Sequence, residues 1–142
     1  MIYSKKFDEL TTDELYQIIK LRIEVFGIEQ NCCYQDLDDY DYKCIHYFTK
    51  NNNEITSYAR YVPKNLKWND ASIGRVVTNL HYRKQGLSSQ IIKKILMDFK
   101  TEKLMISSQV AVLEFYKKLG FKETGDIYYE DKIPHKKMYN KC

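Results

Sequence analysis

The sequence lacks the features that mark membrane, secreted or metal-stapled proteins. No run of about 18 apolar residues occurs, so no segment reads as a transmembrane helix. The opening "MIYSKKFDELTTDEL" brings in acid early and has no apolar h-region, which argues against a signal peptide and for a cytoplasmic protein. The four cysteines, Cys32, Cys33, Cys44 and Cys142, form no C-x-x-C pair, and adjacent Cys32 and Cys33 are poorly placed for a disulfide. Cys33, Cys44 and His46 supply part of a zinc set but the second half is missing, so reduced thiols and no metal are expected. Neither a Walker loop, G-x-x-x-x-G-K, nor a dinucleotide fingerprint, G-x-G-x-x-G, is present. Repeats, low-complexity tracts and linkers are absent as well, so residues 1–142 are expected to form a single domain.

What the chain does contain is globular material. It is 44% hydrophobic and 14% aromatic, with 13 tyrosines. A chain of this length buries roughly two-thirds of its unfolded surface and needs no staple to hold a core. The net charge of +4 comes mainly from scattered lysines that alternate with apolar residues, as on solvated faces. A nucleic-acid footprint would need those lysines on one stripe. A modest basic excess suits a small anionic ligand as well.

Residues 1–7 are a candidate strand. "TTDE" at 11–14 reads as a capping box, and Leu15, Ile18, Ile19, Val25 and Phe26 behind it predict an amphipathic helix over 12–26. Arg22 falls on that apolar stripe, either as a snorkelling side chain or as a cation at the rim of a cleft. "GIEQNCCYQDLDDYDYKC" is irregular and acidic, and its run 36–41 reads as a solvated loop, with attraction of a polyamine or a lysine amine as the functional alternative. "CIHYFTK", "ITSYARYVP", "ASIGRVVT" and "KLMISSQ" predict four strands, with a helix over 86–99 between the last two. A second helix, "VAVLEFYKKLG", should stop at Gly120, and two strands follow around Pro134. Strand 71–78, helix 86–99 and strand 103–108 make a right-handed crossover, which places two parallel strands in a mixed sheet.

The stretch "HYRKQGLSSQ", 81–90, puts Arg83, Lys84 and Gly86 at a strand-to-helix junction. Free amides and a helix N-terminus at such a junction favour a phosphate, although a basic turn that merely caps a helix reads the same way. With its neighbours the stretch says more. "RVVTNLHYRKQGLSSQIIKKIL" followed by "ISSQVAVLEFYKKLGF" resembles the acetyl-CoA-binding core of the GNAT N-acetyltransferases. Arg83, Gly86 and Ser88 fill the first motif of that family, with Ser as the last small residue. Gln109, Val112, Tyr116, Gly120 and Phe121 fill the second, with Gln and Val as departures. "LRIEVFGIEQ", "DLDDYD" and "YYEDKIPHKKM" resemble the ElaA-like subgroup, so the likeness spans nearly the whole chain.

The resemblance implies an α/β (α+β) fold with a central mixed, mostly antiparallel sheet, one parallel strand pair and flanking helices. It implies acetyl-CoA as cosubstrate, with the pyrophosphate on the amides of Lys84, Gln85, Gly86, Leu87 and Ser88 and with Arg83 near it. The pantetheine arm would run along Val76, Val77 and Thr78, and an amide of Val76 or Thr78 would polarise the thioester carbonyl. Gln109 would stand at the coenzyme, and Tyr116 would protonate the departing thiolate; from spacing alone Tyr116 is a packed aromatic. No carboxylate occupies strand 71–78, so the base is open among Glu29, His46, Asp131, His135 and a water relay. His46, in an alternating strand, also reads as a structural histidine. Arg22, Glu29, Gln30 and Arg75 are the candidates for the acceptor pocket. Arg75 either pairs with the acids of 36–41 or binds a carboxylate of the acceptor. The partners expected are a small-molecule or peptide amine, with no nucleic acid and no membrane, in a monomer or homodimer. The alternative function is a non-catalytic acyl-CoA-binding module on the same fold.

Overall fold

The computed structural model describes residues 1–31 and 33–141, so Cys32 and Cys142 lie outside the described residues. Among the described residues seven strands and three α-helices follow the expected order. They are β1 (Ile2–Lys6), α1 (Thr12–Arg22), β2 (Ile45–Asn51), β3 (Glu54–Val62), β4 (Ala71–Thr78), α2 (Leu87–Asp98), β5 (Leu104–Gln109), α3 (Leu113–Lys117), β6 (Lys122–Glu130) and β7 (Ile133–Tyr139). The spatial order is β1-β2-β3-β4-β5-β7-β6. Every neighbouring pair is antiparallel except β4–β5, which is parallel. The expected fold class is therefore the observed one. Among the described residues no helix is long and apolar enough to cross a membrane.

The capping box forms as read. Thr11 accepts from the Glu14 amide at 3.0 Å, and the Glu14 carboxylate accepts from the Thr11 amide at 2.9 Å. Lys5 and Lys50 also reach that carboxylate, so α1 starts against the first two strands. The helix does not stop at residue 26. It continues past Arg22 as a π-helical turn, Ile23–Glu29, which carries Glu29 and Gln30 to the end of β5. The second predicted helix is shorter than expected. A 3-10 turn precedes its five residues, and Gly120, at φ 96, ends it. There Phe121 N–H donates to Tyr116 O and Gly120 N–H to Lys117 O, which is the Schellman closure.

Strand alternation sorts the core onto two faces. Tyr47, Ala59, Tyr61, Ala71 and Ile73 pack against Ile91, Ile92 and Ile95 of α2 and Tyr116 of α3. Phe48, Ile55 and Tyr58 pack against Ile18 and Leu21 of α1. One strand changes phase. In β4, Ala71 and Ile73 face α2, yet Val77 faces α1 and Val76 packs against the α2 side. The cause is a bulge opposite Tyr58–Arg60, where Arg75 takes φ 51 and the register slips by one residue. An alternating sequence pattern gives no warning of that slip.

Candidate active site

β4 and β5 pair at only two positions, Ala71↔Leu104 and Ser72↔Met105, and then part. The gap opens a cleft of about 960 Å³ lined by Ile73–Thr78 on one side and Ile106–Gln109 on the other. The main chain of β4 is oriented by its β3 neighbour. Asn79 N–H donates to Thr56 O at 2.8 Å, and Ser57 Oγ donates to Val77 O at 3.3 Å. Residues 77 and 79 therefore turn to β3, and by alternation the amides of Val76 and Thr78 turn the other way, to the cleft.

At the end of β4 the loop enters α2 through two left-handed residues, Lys84 (φ 66) and Gly86 (φ 76). That alternation turns successive amides inward, as in an anion nest. Gly86 is the N-cap of α2 without a side-chain cap, and the first turn of α2 carries no acid, so its amides stay open to an anion. Ser88 Oγ lies 2.6 Å from Thr78 Oγ1 and fixes the helix start to the strand end. Lys84, Gly86, Leu87 and Ser88 line the cleft, whereas exposed Gln85 does not. Arg83 lines it too, but its guanidinium is turned to Glu29 through two 2.7 Å bonds, with Nε donating to Thr78 O at 3.0 Å.

Tyr116 is buried in the cleft wall, edge-on to Phe115 and Phe121. Burial pushes its phenol above the ordinary tyrosine range, so it stays protonated at neutral pH. Gln109 also lines the cleft and donates to Gln30 Oε1 at 3.1 Å.

The candidate bases separate. Glu29 is taken by Arg83, whose hydrogen bond holds the carboxyl below its usual range. His46 lies away from the cleft. Its Nε2 donates to Asp41 O at 2.9 Å, its Nδ1 accepts from the Tyr58 hydroxyl at 2.6 Å, and burial lowers its pKa. It is a structural histidine. Asp131, in the β6–β7 turn, and His135, on β7 opposite Tyr128, do line the cleft. His135 Nδ1 donates to Ile133 O at 2.7 Å, so in the neutral ring the lone pair falls on Nε2, which lies 3.8 Å from Glu130 Oε2. Tyr128 stacks on the ring and bonds Ser107 Oγ, and Ser107 also donates to Glu130 at 3.1 Å.

Arg22 is neither a snorkelling side chain nor a cation at the rim. It is 1% exposed, with Nε on Asp36 and Nη1 on Asp41, both at 2.8 Å. Arg60, also 1% exposed, reaches Asp41 at 2.8 Å and Asp38 at 2.5 Å. Arg75 takes its structural reading and pairs with Asp36 at 2.9 Å and Asp38 at 3.2 Å. The run 36–41 is thus not a solvated loop. Its Asp36, Asp38 and Asp41 side chains are only 10, 18 and 11% exposed and meet three arginines from α1, β3 and β4. Burial opposes ionisation of Asp38, but Arg60 and Arg75 outweigh it and hold the carboxyl at about 2.

The cleft beyond Arg75 is built by residues the sequence reading passed over: Tyr34, Tyr40, Lys67 and Trp68. The one signal was "LKWND", where the only tryptophan of the chain stands beside a lysine in a loop. Among the described residues, no group of three or more His, Cys, Asp or Glu is arranged to hold a metal.

Residues 10–142 match the family described as Acetyltransferase (GNAT) domain. A UPF0039 protein of Schizosaccharomyces pombe is 37% identical over 94% of this chain and 92% of its own length. Protein ElaA of Escherichia coli is 32% identical over 89% of this chain and 87% of its own. The ElaA crystal structure matches with a TM-score of 0.90 at 28% identity, covering 99% of each chain. An acyl-CoA N-acyltransferase from Pseudomonas aeruginosa matches with a TM-score of 0.91 at 29% identity, again over 99% of each chain.

Proposed function

Because the chain belongs to the acetyltransferase (GNAT) domain family and resembles ElaA throughout, it is an acyltransferase, and we propose that it transfers acetyl from acetyl-CoA to a primary amine by direct attack in a ternary complex. The 142 residues act in this reading as one acetyl-CoA-dependent domain. The observation that carries it is the parting of β4 from β5 after two paired positions, which leaves β4 main chain unpaired beside an anion-receptive loop.

When bound, the cosubstrate supplies the activated thioester. The chain's own residues do the rest. The open amides at the start of α2, with Lys84, receive the pyrophosphate. Arg83 braces the loop against Glu29, which makes Arg83 a positioning residue and removes Glu29 from the list of bases. The cleft-facing groups of Val76 and Thr78 hold the pantetheine arm as an added strand, and the Val76 amide steadies the charge that develops on the carbonyl oxygen. Tyr116, kept protonated by its surroundings, gives its proton to the leaving sulfur. His135 Nε2, left free by the bond from Nδ1 to Ile133, takes the proton of the amine directly or through one water.

Thermal unfolding with acetyl-CoA, with ATP and NAD as controls, tests this on the wild type and Gly86→Glu. A ligand at about a hundred times its dissociation constant adds roughly 2.7 kcal/mol, which raises the midpoint on the order of 5–10 °C. A shift with acetyl-CoA alone, lost in Gly86→Glu, is expected. No shift at saturating acetyl-CoA overturns the reading.

A further inference from the structure

The charges of the cleft pair off almost completely. Arg60 and Arg75 are met by Asp36, Asp38 and Asp41, and Arg83 by Glu29. Lys84 sits at the coenzyme loop. Among the described residues that line the cleft, what remains on the acceptor side is one cation, Lys67, and the carboxylates Glu130 and Asp131 at the end of β6 and in the β6–β7 turn.

Lys67 is half-buried, and among the described residues no carboxylate stands within ion-pair distance of it. Its ammonium lies instead 5.9 Å from the ring centroids of both Tyr40 and Trp68. A second ammonium, that of Lys137, lies 4.9 Å from the same Trp68 ring. Aromatic faces stabilise a cation only partly, and a desolvated ammonium without an anion is costly. Burial and the charges of Arg75 and Arg60 accordingly hold the Lys67 amine below the usual lysine range, against the pull of Asp38 and Glu130. An arriving anion would relieve that cost. At the end of β6, Glu130 accepts from the Ser107 hydroxyl and faces His135 at 3.8 Å, and among the described residues no lysine or arginine pairs with it, so its carboxylate can receive an ammonium.

We propose that the acceptor is an amine that also carries an anionic group, a carboxylate or phosphate, with the anion held by Lys67 over Trp68 and the amine delivered to Glu130 and His135. This rests on the acetyl-transfer reading and specifies its acceptor. It also moves the anion site away from Arg75, whose guanidinium is occupied by Asp36 and Asp38. Polyamines are disfavoured by the same reasoning, because the acidic run that would attract them is consumed by arginines and a second ammonium would meet Lys67.

The test is coenzyme A release from acetyl-CoA with matched acceptors. β-Alanine, γ-aminobutyrate and phenylalanine supply carboxylates and phosphoethanolamine a phosphate. Propylamine, ethanolamine, phenylalaninamide and putrescine lack the anion. Anionic amines should show kcat/KM roughly tenfold or more above their neutral counterparts, with putrescine among the poorest. Lys67→Met should erase that preference through KM, Lys67→Arg should keep it, and both should retain the thermal shift with acetyl-CoA. Preference for carboxylate or for phosphate names the source of the anion. If acetyl-CoA binds but anionic amines neither bind nor react better than neutral ones, or Lys67→Met leaves the preference intact, the acceptor inference is overturned while acetyl transfer stands. If acetyl-CoA does not bind at all, both fall.

Discussion

Asp41→Asn replaces one heavy atom and removes one charge, and it should cost the protein a large part of its stability. In the wild type, Arg22, Arg60 and Arg75 face Asp36, Asp38 and Asp41, and the charges cancel. One oxygen, Asp41 Oδ1, accepts from Arg22 and from Arg60 at 2.8 Å each. Both guanidiniums are 1% exposed, and neither can shed its proton. The variant therefore leaves one uncompensated positive charge inside the protein. Removing one partner of a buried pair costs about 3–5 kcal/mol. Unfolding entropy of about 2.1 cal/mol/K per residue gives roughly 0.3 kcal/mol/K for this chain, so the midpoint should fall by about 10–17 °C. Acid should narrow the difference. Burial raises the Asp41 pKa, but the hydrogen bond and charges of the arginines lower it further, so the folded value lies below the unfolded one. A carboxylate of that kind contributes fully above its unfolded pKa, near 3.9, and loses its contribution as pH falls toward the folded value. The wild-type advantage should thus be complete at pH 7 and shrink below about pH 4, the window in which Asp38, held at about 2, also gives way. Melting curves of both proteins from pH 7 to 3 measure this. A drop at pH 7 smaller than about 3 °C, or an advantage that grows in acid, refutes the reasoning.

Three further outcomes are expected. Tyr116→Phe should lower kcat about a hundredfold and leave the thermal shift with acetyl-CoA unchanged; a loss under about threefold would remove Tyr116 from the proton path. His135→Gln should lower kcat by a similar factor, with partial rescue by added imidazole, and an unchanged kcat would return the base to Asp131 or to water. Under native conditions a maleimide should label exposed Cys33 and leave Cys44 untouched, since burial raises the Cys44 thiol to about 11. Rapid labelling of Cys44 would mean that the segment between α1 and β2 opens readily.

Local rules made most of the frame legible. The Thr11–Glu14 box marked the start of α1, Gly120 the end of α3, and alternation the strands β2 to β5. The anion-receptive loop beside the cleft was legible for the same reason, since Arg83 to Ser88 lie within one short stretch of chain. The rest depended on residues distant in sequence. Arg22 meets Asp36 and Asp41, and Arg60 meets Asp38, across 14 to 22 positions, and no periodicity links them. The Arg75 bulge leaves an apolar strand looking regular while it reverses the facing of Val76 and Val77. Lys67 and Trp68 drew no notice because a loop residue shows its meaning only through what folds over it.

The early parting of β4 from β5 has a consequence for how such a protein can change. In the proposed complex the coenzyme is recognised by amides and carbonyls, which every amino acid carries, so substitution along Val76–Thr78 leaves those contacts in place provided the bulge survives. In the same proposal acceptor recognition falls instead to side chains on connecting segments, Lys67 and Trp68 with Tyr34 and Tyr40 beside them, which line the cleft outside the sheet. The two halves of the reaction are therefore under different kinds of inheritance, one held by topology and the other open to drift. A new acceptor could be acquired by altering a few loop positions while the donor stays the same.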